Sequence, residues 1–225
     1  MFYDSTFILL IPAILFAFYA QMKVSSTFNT YLNYANYSGY TGAEAARALL
    51  DGAGLYNVEI ELIEGHLTDH YDPRSRVLRL SPDVYHGRSV AAVGVAAHEV
   101  GHAIQHSTGY MPLQIRNGLF PIANLGSTLA WPLVILGFMV QWARLIDLGI
   151  ILFTAAVLFQ IITLPVEFNA SSRALGLLQK NGIVYGNESV AVKKVLDAAA
   201  LTYVAATLVA IVELIRLLLI RSREE

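Results

Sequence analysis

Four runs of apolar residues punctuate the chain, at 5–21, 119–140, 145–164 and 201–220. Each is near the roughly 20 residues that an α-helix needs to cross a bilayer. The first, STFILLIPAILFAFYAQ, competes with a cleaved signal peptide. It has no basic leader, however, and bulky residues continue to Tyr19 without a small-x-small cleavage site. It reads as an uncleaved anchor. Only Gln141-Trp142-Ala143-Arg144 separates the second run from the third. That is a tight polar turn with Trp142 suited to the interface, so the pair predicts a helical hairpin. The fourth run contains Glu213 and Arg216, spaced i,i+3 so that they can neutralise each other. Its competing reading is an amphipathic helix lying on the membrane.

Four spans put both termini on one side. The polar pieces 22–118 and 165–200 then meet on the other, as one extramembrane portion built from two separated segments. Lys23, Arg116, Arg173, Lys180, Lys193 and Lys194 lie on that side, against Arg144, Arg221 and Arg223 opposite. The excess leans toward a cytoplasmic portion.

The polar pieces carry local signals. A Tyr/Asn-rich linker is expected over 27–40. Thr41-Gly42-Ala43-Glu44 is a capping-box pattern that opens a helix, and Gly52 and Gly54 end it. VEIELI at 58–63 alternates as a half-buried strand does, and RVLRL at 76–80 reads as a second strand. Asp72-Pro73-Arg74-Ser75 between them reads as a turn. A long Ala/Val-rich helix follows over 89–105, with Ser89 as its N-cap.

Composition agrees with the membrane reading. Hydrophobic residues make up 56% and charged residues 14%, against about a quarter charged in soluble domains. No basic stripe suggests a nucleic-acid partner. The absence of cysteine removes disulfides, thiolate zinc ligands and thiol nucleophiles.

The candidate chemistry lies in AAHEVGHAIQH. His98-Glu99-Val100-Gly101-His102 is HExxH. On a helix, residues i and i+4 are about 40° apart in azimuth and about 6 Å apart in rise, so two imidazoles reach one ion. Glu99 projects about 100° away, where it reaches a water on the metal without ligating the ion. Zinc lowers the pKa of such a water toward about 7, and a nearby carboxylate takes the proton. The competing reading is a solvated His-rich helix. The small apolar residues before the motif, and Gly101 within it, favour a buried site. His106 lies about 12 Å along the axis from His98, too far to share the ion, and reads as a polar residue at the helix end. Glu167, directly after the third apolar run and Pro165, is the expected third ligand, since a carboxylate at that junction calls for a cation. Its competing role is a first-turn helix glutamate.

The segments TDHYDPRSRVLRLSPDVYHGRSVAAVGVAAHEVGHAIQH, at 68–106, and LPVEFNASSRAL, at 164–175, resemble the neutral zinc metallopeptidase family of YugP-like membrane proteins. HExxH followed by Glu-x-x-Ala is similar to the gluzincin arrangement, and the layout is similar to the membrane-embedded HtpX and CAAX-prenyl proteases. With its flanking spans the resemblance covers most of the chain. It implies a mainly α, multi-span membrane protein carrying a zincin-like α+β metallopeptidase domain, in which the HExxH helix packs with a small β-sheet. It also implies one zinc per chain and a protein or peptide substrate; the spans hold the site near the bilayer, which points to membrane proteins or their exposed, unfolded segments. There are two departures. Ser171 stands where the HtpX-like pattern has an aspartate four residues after the ligand, and Asn169 where the nearer family has one two residues after it. Either side chain is expected to orient a ligand histidine. In the zincin layout an edge strand pairs with the substrate backbone, which assigns that role to Val77, Leu78, Arg79 and Leu80. His70, Tyr71 and Arg173 are candidates to stabilise the oxyanion.

Two other classes compete with an endopeptidase. One is a zinc-binding membrane scaffold or chaperone without catalysis, which has no need of Glu99. The other is a metal transporter, which the nearly charge-free spans disfavour.

Overall fold

The structure, a computed structural model, describes residues 5–222. Arg223, which enters the charge asymmetry above, lies outside the described residues, as do Glu224 and Glu225. The fold is mainly helical, with one small sheet. Among the described residues, four helices are long and apolar enough to cross a membrane: Thr6–Leu32, Met111–Met139, Ala143–Lys180 and Gly186–Ser222. The chain divides into two compact units.

One unit holds Met111–Pro165 with the two end segments of the chain, up to Gln21 and from Thr202. Its centre is the expected hairpin of α5 (Met111–Met139) and α6 (Ala143–Lys180). Glycine lets the two backbones approach. A Cβ on Gly126 would overlap the carbonyl group of Leu152, and one on Gly149 would meet Val134 Cγ2 at 2.6 Å. Gln141 takes a positive φ of 52° in the connecting turn. The Glu213–Arg216 pair forms at 2.8 Å in α7 (Gly186–Ser222), and the Arg216 guanidinium also lies over the rings of Phe7 and Trp131. Both charges are thereby met within the unit.

The other unit holds Met22–Tyr110 and Val166–Leu201. The helices outrun the apolar pattern that announces them. α1 (Leu10–Leu32) continues into the expected linker, because no Gly or Pro interrupts the chain from 22 to 32. α6 runs through Pro165 to Lys180 and stops where Gly182 adopts a φ of 67°. The capping box forms: Thr41 Oγ1 accepts from the Glu44 N–H, and Glu44 accepts from the Thr41 N–H at 2.7 Å, opening α2 (Gly42–Gly52).

The sheet has the order β1-β3-β2, from β1 (Glu59–Leu62), β2 (His70–Asp72) and β3 (Val77–Leu80). β3 pairs parallel with β1 and antiparallel with β2. This corrects the expectation that Val77, Leu78, Arg79 and Leu80 form a substrate-pairing edge. β3 is the central strand, and neighbours on both sides already use its backbone groups. The edge strands are β1 and β2. The tight β2–β3 connection is held by Asp72, whose carboxylate accepts from the Arg74 N–H at 2.9 Å and the Ser75 hydroxyl at 2.7 Å. Those bonds draw the Asp72 carboxyl down to about 2.

After the short α3 (Pro82–Tyr85) comes α4 (Val90–Ser107), with Ser89 Oγ capping the Ala92 N–H. α4 is the buried axis of this unit. Val93, Ala96, Ala97 and Val100 share a core with Leu49, Leu50, Leu78, Leu178 and Val192. Its small residues match close helix contacts: a Cβ on Gly101 would sit 2.7 Å from the Ala170 carbonyl oxygen.

Candidate metal centre

α4 presents His98 and His102 one turn apart, with ring centroids 4.7 Å apart and planes at 88°. α6 supplies Glu167, which is 2% exposed. Its Oε2 lies 3.3 Å from His98 Nε2 and 3.5 Å from His102 Nε2. One ligand atom from each of the three lies within 4.8 Å of the others. These contacts require close approach of α4 and α6, which Gly101 permits.

The donor set fits zinc, which takes imidazole nitrogen and carboxylate oxygen in three-ligand sites with an open position. The electrostatics agree. Burial alone would lower the pKa of His102, but the hydrogen bond to Glu167 and the charge of Glu99 outweigh it, and the imidazole is held above its ordinary value. Two carboxylates around one buried point favour positive charge there.

The outward nitrogens of the imidazoles are also engaged. Ser171 Oγ lies 3.1 Å from His98 Nδ1. Asn169 does not touch an imidazole. It bonds Gln105 at 3.0 Å and receives the Arg173 Nε–H at 2.7 Å. Gln105, absent from the sequence-based candidates, is the residue at His102 Nδ1, 3.0 Å away, and it is fully buried. Its signal in the sequence is its place on α4, three residues after His102 and so on the same face of the helix.

Glu99 is 8% exposed and is not one of the three converging residues. Its Oε2 accepts the Tyr71 backbone N–H at 2.9 Å, which joins β2 to α4. The Tyr71 hydroxyl lies 2.9 Å from His106 Nδ1, which gives His106 a partner instead of a ligand role. Burial raises the pKa of that phenol. His70 Nδ1 donates to the Thr68 carbonyl at 2.8 Å. Arg173 is committed to Asn169 and lies over the Tyr110 ring. Asp69 is a second residue that the sequence does not single out. Burial pushes its carboxyl up, while bonds from Ser81 N–H and Oγ pull it back, and it fastens the approach to β2 onto the end of β3.

Residues 6–222 match the model of a family described as "Putative neutral zinc metallopeptidase". The chain belongs to that family. It is 54% identical over 213 residues, 94% of each chain, to a Bacillus subtilis (strain 168) protein named "Putative membrane protease YugP". No solved structure matches. Within the family, His98, His102 and Glu167 are this chain's candidate metal-binding group.

Proposed function

We propose that the protein is a zinc-dependent endopeptidase of the HExxH…Glu type, holding one zinc per chain, and that Glu99 is its general base. The observation that carries this is the convergence of His98, His102 and Glu167 on one buried point, with a carboxylate beside them that belongs to none of the three. When bound, zinc acts as a Lewis acid that acidifies water and polarises the scissile carbonyl. Glu99 takes the proton and returns it to the leaving amine. The Tyr71 N–H steadies one of its oxygens.

The substrate strand pairs with β2, the edge beside Glu99, in place of the buried β3. Among the oxyanion candidates, Tyr71 and Arg173 both carry donors: Tyr71 a phenol O–H that it shares with His106, and Arg173 the N–H groups beyond the Nε–H given to Asn169. Neutral His70 carries its proton on Nδ1 toward Thr68, leaving only an acceptor at Nε2. The four long apolar helices support a multi-pass membrane protein, and the basic residues of the larger polar pieces favour a cytoplasmic site. Substrates are then membrane proteins or unfolded segments close to the bilayer, and nucleic acid is not among them.

The test is cleavage of an unfolded reporter by the detergent-purified protein. Chelation should abolish cleavage, and stoichiometric zinc should restore it. Cleavage unaffected by chelation would remove the metal from the reaction. Zinc bound one to one with no cleavage of any reporter would favour the scaffold reading.

Gly101 offers a second check. Gly101→Ala gains about 1 kcal/mol of helix propensity but overpacks a backbone contact, at a cost of about 1–3 kcal/mol. The contact at Ala170 is with main chain, which cannot rotate away. We expect net destabilisation and at least a tenfold loss of zinc affinity as α6 withdraws Glu167, with helix content unchanged by circular dichroism. Full zinc affinity in this variant would show that the close approach is dispensable.

A further inference from the structure

We propose that Gln105 is a positioning residue that fixes the tautomer of His102, with its polarity imposed by Val166 on one side and by Arg173 through Asn169 on the other. This rests on the reading of His98, His102 and Glu167 as metal ligands.

The donors and acceptors can be followed one by one. A guanidinium only donates, so the Arg173 Nε–H at 2.7 Å makes Asn169 Oδ1 an acceptor. Gln105 meets that same oxygen at 3.0 Å, so the Gln105 group facing it must be the NH2. The second amide proton goes to the Val166 carbonyl at 2.8 Å, which only accepts. Both donors of Gln105 are thereby spent, and its Oε1 is left facing His102 Nδ1 at 3.0 Å. An oxygen with no proton there requires Nδ1–H on the imidazole. Nε2 then carries the lone pair, and Nε2 is the nitrogen that faces Glu167 at 3.5 Å. In the metal-free protein a second proton on Nε2 can meet that carboxylate, and a bound cation takes the place of that proton.

The two histidines therefore differ. His98 Nδ1 meets a serine hydroxyl, which donates or accepts as it rotates, so Ser171 alone imposes no tautomer. His102 is locked because the chain of bonds behind it ends in groups that cannot reverse. Gln105 is fully buried, so water does not take its place at His102 Nδ1. Hydrogen-bond partners of ligand histidines typically change metal affinity by about 10–100-fold.

The test separates this role from simple helix packing. Nitrogen-15 NMR of the histidines in the metal-free, full-length protein, titrated until the His102 ring has lost its second proton, reports the tautomer directly. Wild-type His102 should carry its proton on Nδ1. Gln105→Met keeps the bulk but loses the acceptor. It should lose that preference and weaken zinc binding about 10–100-fold in competition with a chromophoric chelator. Asn169→Asp still accepts from both Gln105 and Arg173, and should keep the tautomer and stay within about threefold of wild-type affinity. An Nε2–H tautomer in wild type would overturn the proposal without any variant. So would an unchanged tautomer and affinity in Gln105→Met. If wild type fails to take zinc from the chelator, the metal reading fails by itself, and the tautomer comparison still decides the role of Gln105.

Discussion

Glu99→Gln should retain its zinc and lose about 10²–10⁴-fold in kcat/KM, the range attributable to a positioned general base. Each half of that expectation has its own structural ground. Zinc is retained because Glu99 is not one of the three converging ligands. The local packing is retained because a glutamine Oε1 can accept the Tyr71 N–H that Glu99 accepts at 2.9 Å. What glutamine cannot do is take a proton near neutral pH. Metal analysis of the purified variant, beside its rate on an unfolded reporter, reads both halves. A variant that cleaves like wild type removes Glu99 as the base. A variant that loses its zinc shows that the carboxylate helps hold the ion, and would change its assignment from base to ligand.

The parts of this site that depend on helical period are legible in the sequence. Residues four apart share a face, so the pairing of His98 with His102 follows from their spacing alone. The same rule explains two outcomes on α6. Ser171 is four residues after Glu167, shares its face and meets His98. Asn169 is two residues after it, about 200° around the helix, and meets Gln105 instead of an imidazole. The sheet is less legible for a different reason. Strand order depends on which segments meet across the fold, and local alternation does not record that. β2 is three residues long beside Asp72-Pro73, so its sequence resembles part of a turn, and without β2 the strand β3 reads as an edge. Helix ends shift because hydropathy marks where a helix stops being apolar, while capping decides where it stops being a helix. Gln105 gives little signal because an amide has no charge to attract attention, and its importance depends on Asn169 and Val166, more than 60 positions away.

Glu167→Ala should lower zinc affinity at least about 10²-fold, beyond the effect typical of a residue that only supports a ligand. Catalysis should fall with it, since two imidazoles alone do not complete a three-ligand site. The variant also has a signature in the metal-free protein. Burial lowers the His102 pKa, and Glu167 and Glu99 together outweigh it. Removing Glu167 leaves burial less opposed, so the His102 pKa should fall. The sign matters for stability. A histidine raised in the folded state contributes stability that is fully present below the unfolded value of about 6.5 and is lost as pH rises through the folded value. The metal-free variant should therefore be weakened relative to wild type mainly on the acid side of that window, and much less at higher pH. Proton NMR titration of the His102 ring in both proteins measures the shift, and chelator competition measures the affinity. An unchanged affinity with a lowered His102 pKa would make Glu167 an electrostatic neighbour and send the search for the third ligand elsewhere. A loss of affinity with no change in pKa would keep it as a ligand but remove the argument that the metal-free site is organised around a missing positive charge.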